Sequence, residues 1–299
     1  MNGGKTFLLL MGMLALFGAF GFALDRVMGT GGTYMIIALG FGLVMNWVSF
    51  FYSDKIVLKM YHAREVSESE APELHTIVEN VSRRAGIPKP KVYIVPSELP
   101  NAFATGRNPE HAVVAANEGL LNLLSRDEVE AVMAHEIGHV KRRDTLIQTV
   151  AATMAGAIAM LAQGAQMSML FGGGRRDSNS EDSGPGGMMV MLLMMFLAPL
   201  AATIVQMSIS RTREFGADRA AAEYTGNPAA LASALRKLEG YARGNPPDMK
   251  VNPATSHMFI VNPLSGISGG GIAKLFSTHP PTEERVARLM EYARSGVRT

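Results

Sequence analysis

The chain has 299 residues, with 28 Lys+Arg against 26 Asp+Glu and a formal charge of only +2. This excludes the basic field of a nucleic-acid binder and the like-charge block of a binding tail. There is no cysteine, so disulfides and thiolate ligands are excluded, and any metal must be held by His, Asp or Glu. With 47% hydrophobic residues and 21 Met the chain is too apolar for an ordinary soluble domain.

The apolar excess lies in four runs, 6–24, 32–52, 146–171 and 188–209, each near the roughly 20 residues that cross a bilayer as a helix. Lys5 and the small residues Ala19, Gly21 and Ala23 give the first run some likeness to a signal peptide. It exceeds the apolar core of roughly 7–15 residues usual there, and a second run follows after one short turn, so a transmembrane hairpin explains both. For the third and fourth runs, Gln148, Gln163, Gln166 and Gln206 keep open the alternative of buried core helices.

Basic residues set the expected orientation. Lys5 precedes the first run, Lys55, Lys59 and Arg64 follow the second, Lys141, Arg142 and Arg143 precede the third, and Arg211 and Arg213 follow the fourth. The loops at 25–31 and 172–187 mix both signs. Both termini and both polar domains are therefore expected in the cytoplasm, and the loop 172–187 outside. The organisation is a transmembrane hairpin (1–52), a cytoplasmic block (53–145), a second hairpin (146–209) and a second cytoplasmic block (210–299), the two blocks forming one domain.

In the first block, residues 71–85 read as a helix, with Pro72 early, Leu74, Ile77, Val78 and Val81 on one face and Gly86 as its stop. "KVYIV" (91–95), "AFAT" (102–105) and "HAVVA" (111–115) read as short strands, giving a small sheet before the next helix. That helix opens on a capping box, Ser125 with Glu128, and repeats Val129, Val132, Met133, Ile137 and Val140 at helical spacing. In the second block 211–224, 228–241 and 281–293 read as helices around a Pro/Gly/Ser-rich stretch.

The helix after the sheet carries "HEIGH". Two imidazoles four residues apart stack on one face, about 6 Å apart at Cβ, and both reach one tetrahedral zinc. Glu136 projects beside His135 and His139, where a carboxylate takes a proton from a water that the metal has acidified. The bland alternative is a solvated charged helix. Uncharged Ile137 and Gly138 inside the motif, with Val132, Met133 and Val140 around it, speak against that.

A catalytic zinc needs a third protein ligand, here a carboxylate or another histidine. Glu214 and Asp218 in "SRTREFGADRAAA" lie at i and i+4 among small residues; taken alone, such a spacing reads as a surface pair. Continuous helices put His139 about 10 Å and Glu214 about 8 Å above the membrane boundary, so the two sets of side chains are level. His62, His75, His111 and His257 have no supporting pattern and read as surface or structural.

Together, "HEIGH", "SRTREFGAD", "PNAFATG" (100–106) and "STHPPTEER" (277–285) resemble the HtpX family of membrane zinc metalloproteases, related to the CAAX prenyl endopeptidases. The resemblance covers nearly the whole chain. It implies an α-helical integral membrane protein with four transmembrane helices and a mainly helical, zincin-like α+β protease domain carrying a small β-sheet. It further implies one Zn2+ per subunit on His135, His139 and Glu214, with Glu136 as general base and Asp218 supporting a ligand imidazole. His279 would stabilise the oxyanion. Asn101, Ala102 and Phe103 would bind substrate backbone by strand addition.

The function implied is a membrane-bound zinc endopeptidase of the inner (plasma) membrane, multi-pass, with its active site cytoplasmic. It would degrade misfolded or damaged membrane proteins in stress response and quality control. The expected partners are unfolded or membrane protein substrates, the lipid bilayer and other membrane quality-control proteases, with no nucleic acid. Two other readings are weighed. An intramembrane protease conflicts with the charges crowding the motif, since a charge at mid-bilayer costs several kcal/mol. A non-enzymatic metal carrier or assembly factor would need no general base, and Glu136 speaks against it.

Overall fold

The computed structural model describes residues 3–155, 210–244, 259–260 and 280–296. The chain opens with two long helices, α1 (Gly3–Met28) and α2 (Thr33–Met60). They form an antiparallel hairpin. Asp25 accepts from Thr30 Oγ1 and from the Tyr34 and Met35 N–H groups, satisfying donors at the start of α2. Further down, Asn46 Nδ2 donates to Leu10 O at 2.9 Å. At Gly21 a Cβ would come within 2.6 Å of the Tyr34 carbonyl and Met35 Cα, so only glycine permits this approach.

The apolar windows of α1 and α2 are only 29% and 17% buried. Phe7, Leu8, Ile36, Ile37, Val44 and Trp47 are exposed. Core helices of a soluble protein would bury these side chains, whereas a bilayer accepts them. Helix α2 continues to Met60, past residue 52, and its last turns reach the sheet.

Four strands follow: β1 (Arg64–Glu65), β2 (Lys91–Val95), β3 (Ala102–Thr105) and β4 (Val113–Asn117). Their order is β1-β2-β4-β3, with β2 and β4 parallel and the other pairs antiparallel. Helix α3 (Pro72–Ala85) ends at Gly86 in the left-handed conformation, as its sequence predicts. The expected strand at 111–115 is corrected to 113–117. Pro109–His111 instead form a 3-10 turn, closed by the Asn108 side chain accepting the His111 N–H at 3.1 Å.

Helices α4 (Glu118–Leu123), α5 (Arg126–Lys141) and α6 (Thr145–Ala155) come next. After them stand α7 (Arg211–Thr225), α8 (Pro228–Gly244) and α9 (Thr282–Ser295). The described fold is thus mainly helical with one small mixed sheet. Beyond Ala155, the expected third and fourth membrane runs and the loop 172–187 lie outside the described residues.

The alternation of the strands gives the sheet two different faces. Ala102, Ala104, Val114 and Ala116 join a core with α3, α5 and α8, through Val78, Val132, Ile137, Leu231 and Leu235. Phe103, Val113 and Ala115 face the other way, onto Val57 and Leu58 of α2 and Ala152 of α6. Helix α6 also packs Ile147, Val150, Ala151 and Met154 on Leu9, Met13 and Phe17 of α1. The sheet is therefore sandwiched between the helical core and the apolar helices.

Candidate active site

Helix α5 begins where Glu128 accepts the Ser125 N–H at 2.8 Å, closing the predicted capping box. Its middle is covered on all sides, with every residue from Ala131 to Val140 buried. Helix α7 lies directly against it. A Cβ on Gly138 would meet Ala220 Cβ at 3.0 Å and Ala217 Cα at 3.4 Å, so the small residues of both helices set the close spacing that brings Glu214 to the histidines.

His135, His139 and Glu214 form a buried group whose ligand atoms all lie within 4.8 Å of one another. The two Nε2 atoms are 3.2 Å apart. Glu214 Oε2 is 3.8 Å from His135 Nε2, and Oε1 is 3.6 Å from His139 Nε2. Donors on a tetrahedral zinc at 2.0–2.1 Å stand roughly 3.3 Å apart, so the three edges fit one such ion with a fourth position to spare.

The surroundings ask for the same charge. Glu136, Glu214, Asp144 and Asp218 are all buried here, against the buried guanidiniums of Arg213 and Arg285. Buried charge is costly unless paired, and a cation held by this group would add to the pairing of these carboxylates.

Each imidazole has its own partner. His135 Nδ1 is 3.0 Å from Asp218 Oδ1, and His139 Nδ1 is 3.3 Å from Asp144 Oδ2. Arg285 clamps Asp218 with two bonds, Nε to Oδ2 at 2.9 Å and Nη2 to Oδ1 at 2.6 Å. Its third arm, Nη1, donates to Ile260 O at 2.9 Å, while the Ile260 N–H donates to Asn101 Oδ1 at 3.1 Å. Burial lowers His135 to about 4 against the pull of Asp218. Burial opposes the charge of Asp218 too, yet Arg285 and His135 hold it down at about 2. Burial also disfavours charge on His139, but Asp144, Glu214 and Glu136 around it win and raise it.

Glu136 sits between the ligands and the sheet. Burial is the main cause raising its carboxyl to about 7, with Glu214 adding and His139 and the Ala104 N–H opposing. Among the described residues, strand β3 is one edge of the sheet. The Asn117 N–H donates to Asn101 O at 2.9 Å, so by antiparallel alternation Phe103 and Thr105 turn their main-chain groups toward β4. Ala102 and Ala104 turn theirs outward, on the side of Glu136.

Residues 68–293 match peptidase family M48, a stretch that contains every residue of this site. The chain belongs to peptidase family M48. A "Protease HtpX homolog" of Paraburkholderia phytofirmans is 52% identical over 99% of this chain and 98% of its own length. Another, from Pyrococcus abyssi, is 55% identical over 89% of this chain and 88% of its own. One solved structure, S. mikatae Ste24p, aligns with 93% of this chain and 62% of its own length, at 20% identity and a TM-score of 0.48. As an M48 peptidase of the HtpX kind, the chain is a membrane metalloprotease, a hydrolase of peptide bonds.

In this M48 site the sequence-predicted His135, His139, Glu136, Glu214 and Asp218 come together, and Ala102 and Phe103 lie on the edge strand beside them. Asn101, expected to grip substrate, accepts the Ile260 N–H on its side-chain oxygen. His279 and His257 lie outside the described residues. His75 bonds Val66 O and His111 bonds Asn108, both structural. Asp144 and Arg285 were not singled out by sequence reasoning. The one available signal for Arg285 is its place in "STHPPTEER", since a lone Arg in an acidic helix start otherwise reads as surface.

Proposed function

We propose that this M48 peptidase is a zinc endopeptidase of the inner membrane. It would be multi-pass on four spans, with both cytoplasmic blocks forming one protease domain that cuts misfolded or damaged membrane proteins. The observation that carries the metal reading is the buried His135, His139 and Glu214 set, with edges of 3.2, 3.8 and 3.6 Å. Histidine nitrogen with carboxylate oxygen, and no sulfur, suits zinc. The cytoplasmic placement is supported by the basic residues flanking the four apolar runs.

Zinc held by His135, His139 and Glu214 would supply Lewis acidity toward a peptide carbonyl and an attacking water. Glu136 is the base. Its carboxylate would accept a proton from the attacking water and later deliver it to the departing amide nitrogen. The outward main-chain groups of Ala102 and the Ala104 carbonyl would pair with an extended substrate and lay its scissile bond across the ligands. Asn101 serves this edge by fixing Ile260 at its start. From the family resemblance, His279 would donate to the developing oxyanion.

The test compares wild type with Glu136→Gln in detergent-purified protein. Zinc content should be equal, and cleavage of an unfolded protein should fall at least about a hundredfold. Near-wild-type cleavage by the variant would sink the assignment of the base.

A further inference from the structure

We propose that Asp144 is a second positioning residue of the metal site, holding the imidazole of His139 as Asp218 holds that of His135. It rests on the reading of His135, His139 and Glu214 as metal ligands. The backbone brings it there by a specific device. At the end of α5, Arg143 takes a left-handed conformation with φ 58°, which side chains other than glycine rarely adopt and which clusters where function requires it. The chain folds back, and the Asp144 N–H donates to His139 O at 2.9 Å. Its carboxylate then stands 3.3 Å from His139 Nδ1, and the residue is 1% exposed.

An acceptor at Nδ1 fixes the tautomer with the proton on that nitrogen, leaving the lone pair of Nε2 for a metal and making it more basic. Nε2 of His139 is the atom that faces His135 and Glu214. Two guanidiniums stand beside the Asp144 carboxylate, with Arg142 Nε at 3.7 Å and Arg213 Nε at 4.0 Å. The site thus repeats one pattern twice: imidazole, carboxylate, guanidinium. Helix α7 serves both arms, giving Asp218 to the first and Arg213 to the second, on either side of its own ligand Glu214.

The competing role is structural, because Asp144 precedes Thr145, the first residue of α6, and aspartate is a good helix cap. Asparagine and serine cap as well, so Asp144→Asn and Asp144→Ser preserve that role while removing the charge. Zinc affinity of the full-length protein in detergent, measured by competition with a chromophoric chelator, should fall roughly 10–100-fold in both. The absorption bands of the cobalt-loaded protein should shift, and Asp144→Glu should recover part of the affinity.

Wild-type zinc affinity and an unshifted cobalt spectrum in Asp144→Asn would overturn the proposal. So would a set in which affinity falls with no shift of the cobalt bands, or in which none of the three variants folds, since either assigns Asp144 to the fold alone. Wild-type protein that took up no zinc would instead overturn the ligand assignment beneath it, and the proposal with it.

Discussion

Arg285→Leu should unlatch the site from behind, and its size follows from what the guanidinium touches. Arg285 is 1% exposed and makes two bonds to Asp218 and one to Ile260 O. Leucine fills much of the volume but leaves the Asp218 carboxylate buried with only His135 as a partner. Removing one member of a buried ion pair costs about 3–5 kcal/mol. At about 2–4 °C per kcal/mol for a chain of this size class, the metal-free protein should melt about 6–20 °C lower. Metal-free protein is the right sample, because bound metal adds its own stabilisation by mass action. The double variant Arg285→Leu/Asp218→Leu removes both charges and should regain most of the lost stability, while its zinc affinity stays low. A single-variant loss below about 1 kcal/mol, the range of exposed pairs, would refute the view of Arg285 as a buried clamp.

Glu214→Ala should lose zinc and activity together, whereas Asp218→Asn should retain zinc with affinity or activity reduced roughly 10–100-fold; metal analysis after dialysis against a mild chelator separates them. A cysteine at Ser178 should react with a membrane-impermeant thiol reagent in intact cells and one at Ser67 should not, and the reverse labelling would invert the topology. Glu128 accepts from Ser233 and Lys237, both at 2.7 Å. Burial works against its charge, but these partners and the Ser125 N–H hold its carboxyl below the ordinary range. A depressed folded-state value contributes stability above the ordinary glutamate range that is lost as pH falls through the lower one. Denaturation curves of Glu128→Gln should therefore be less stable than wild type at neutral pH and lack that part of the acid dependence.

Much of this site was legible because the signals are local. The capping box and the apolar repeat placed "HEIGH" on a helix, and the i, i+4 spacing of Glu214 and Asp218 placed both on one face. What escaped are the contributions that only tertiary packing defines. Asp144 acts through the left-handed turn at Arg143, which no propensity announces, since arginine is not a residue expected there. Arg285 meets Asp218 across 67 positions of sequence. The shift of β4 by two residues came from the Asn108 side chain closing a 3-10 turn before it, an instance of local side-chain bonding competing with strand pairing. The two-residue β1 and the single-turn-scale α4 carry too few residues for a periodic signal.

The close seat of α7 on α5 at Gly138 also sets an order of events during synthesis. His135 and His139 leave the ribosome well before Glu214, with the apolar runs 146–171 and 188–209 in between, and Arg285 follows later still. Because folding proceeds as the chain emerges, the first half arrives with two ligands and a base but without the third ligand or the clamp on Asp218. A chain interrupted at that stage holds an incomplete set of donors, so the capacity to cut proteins is withheld until α7 has docked.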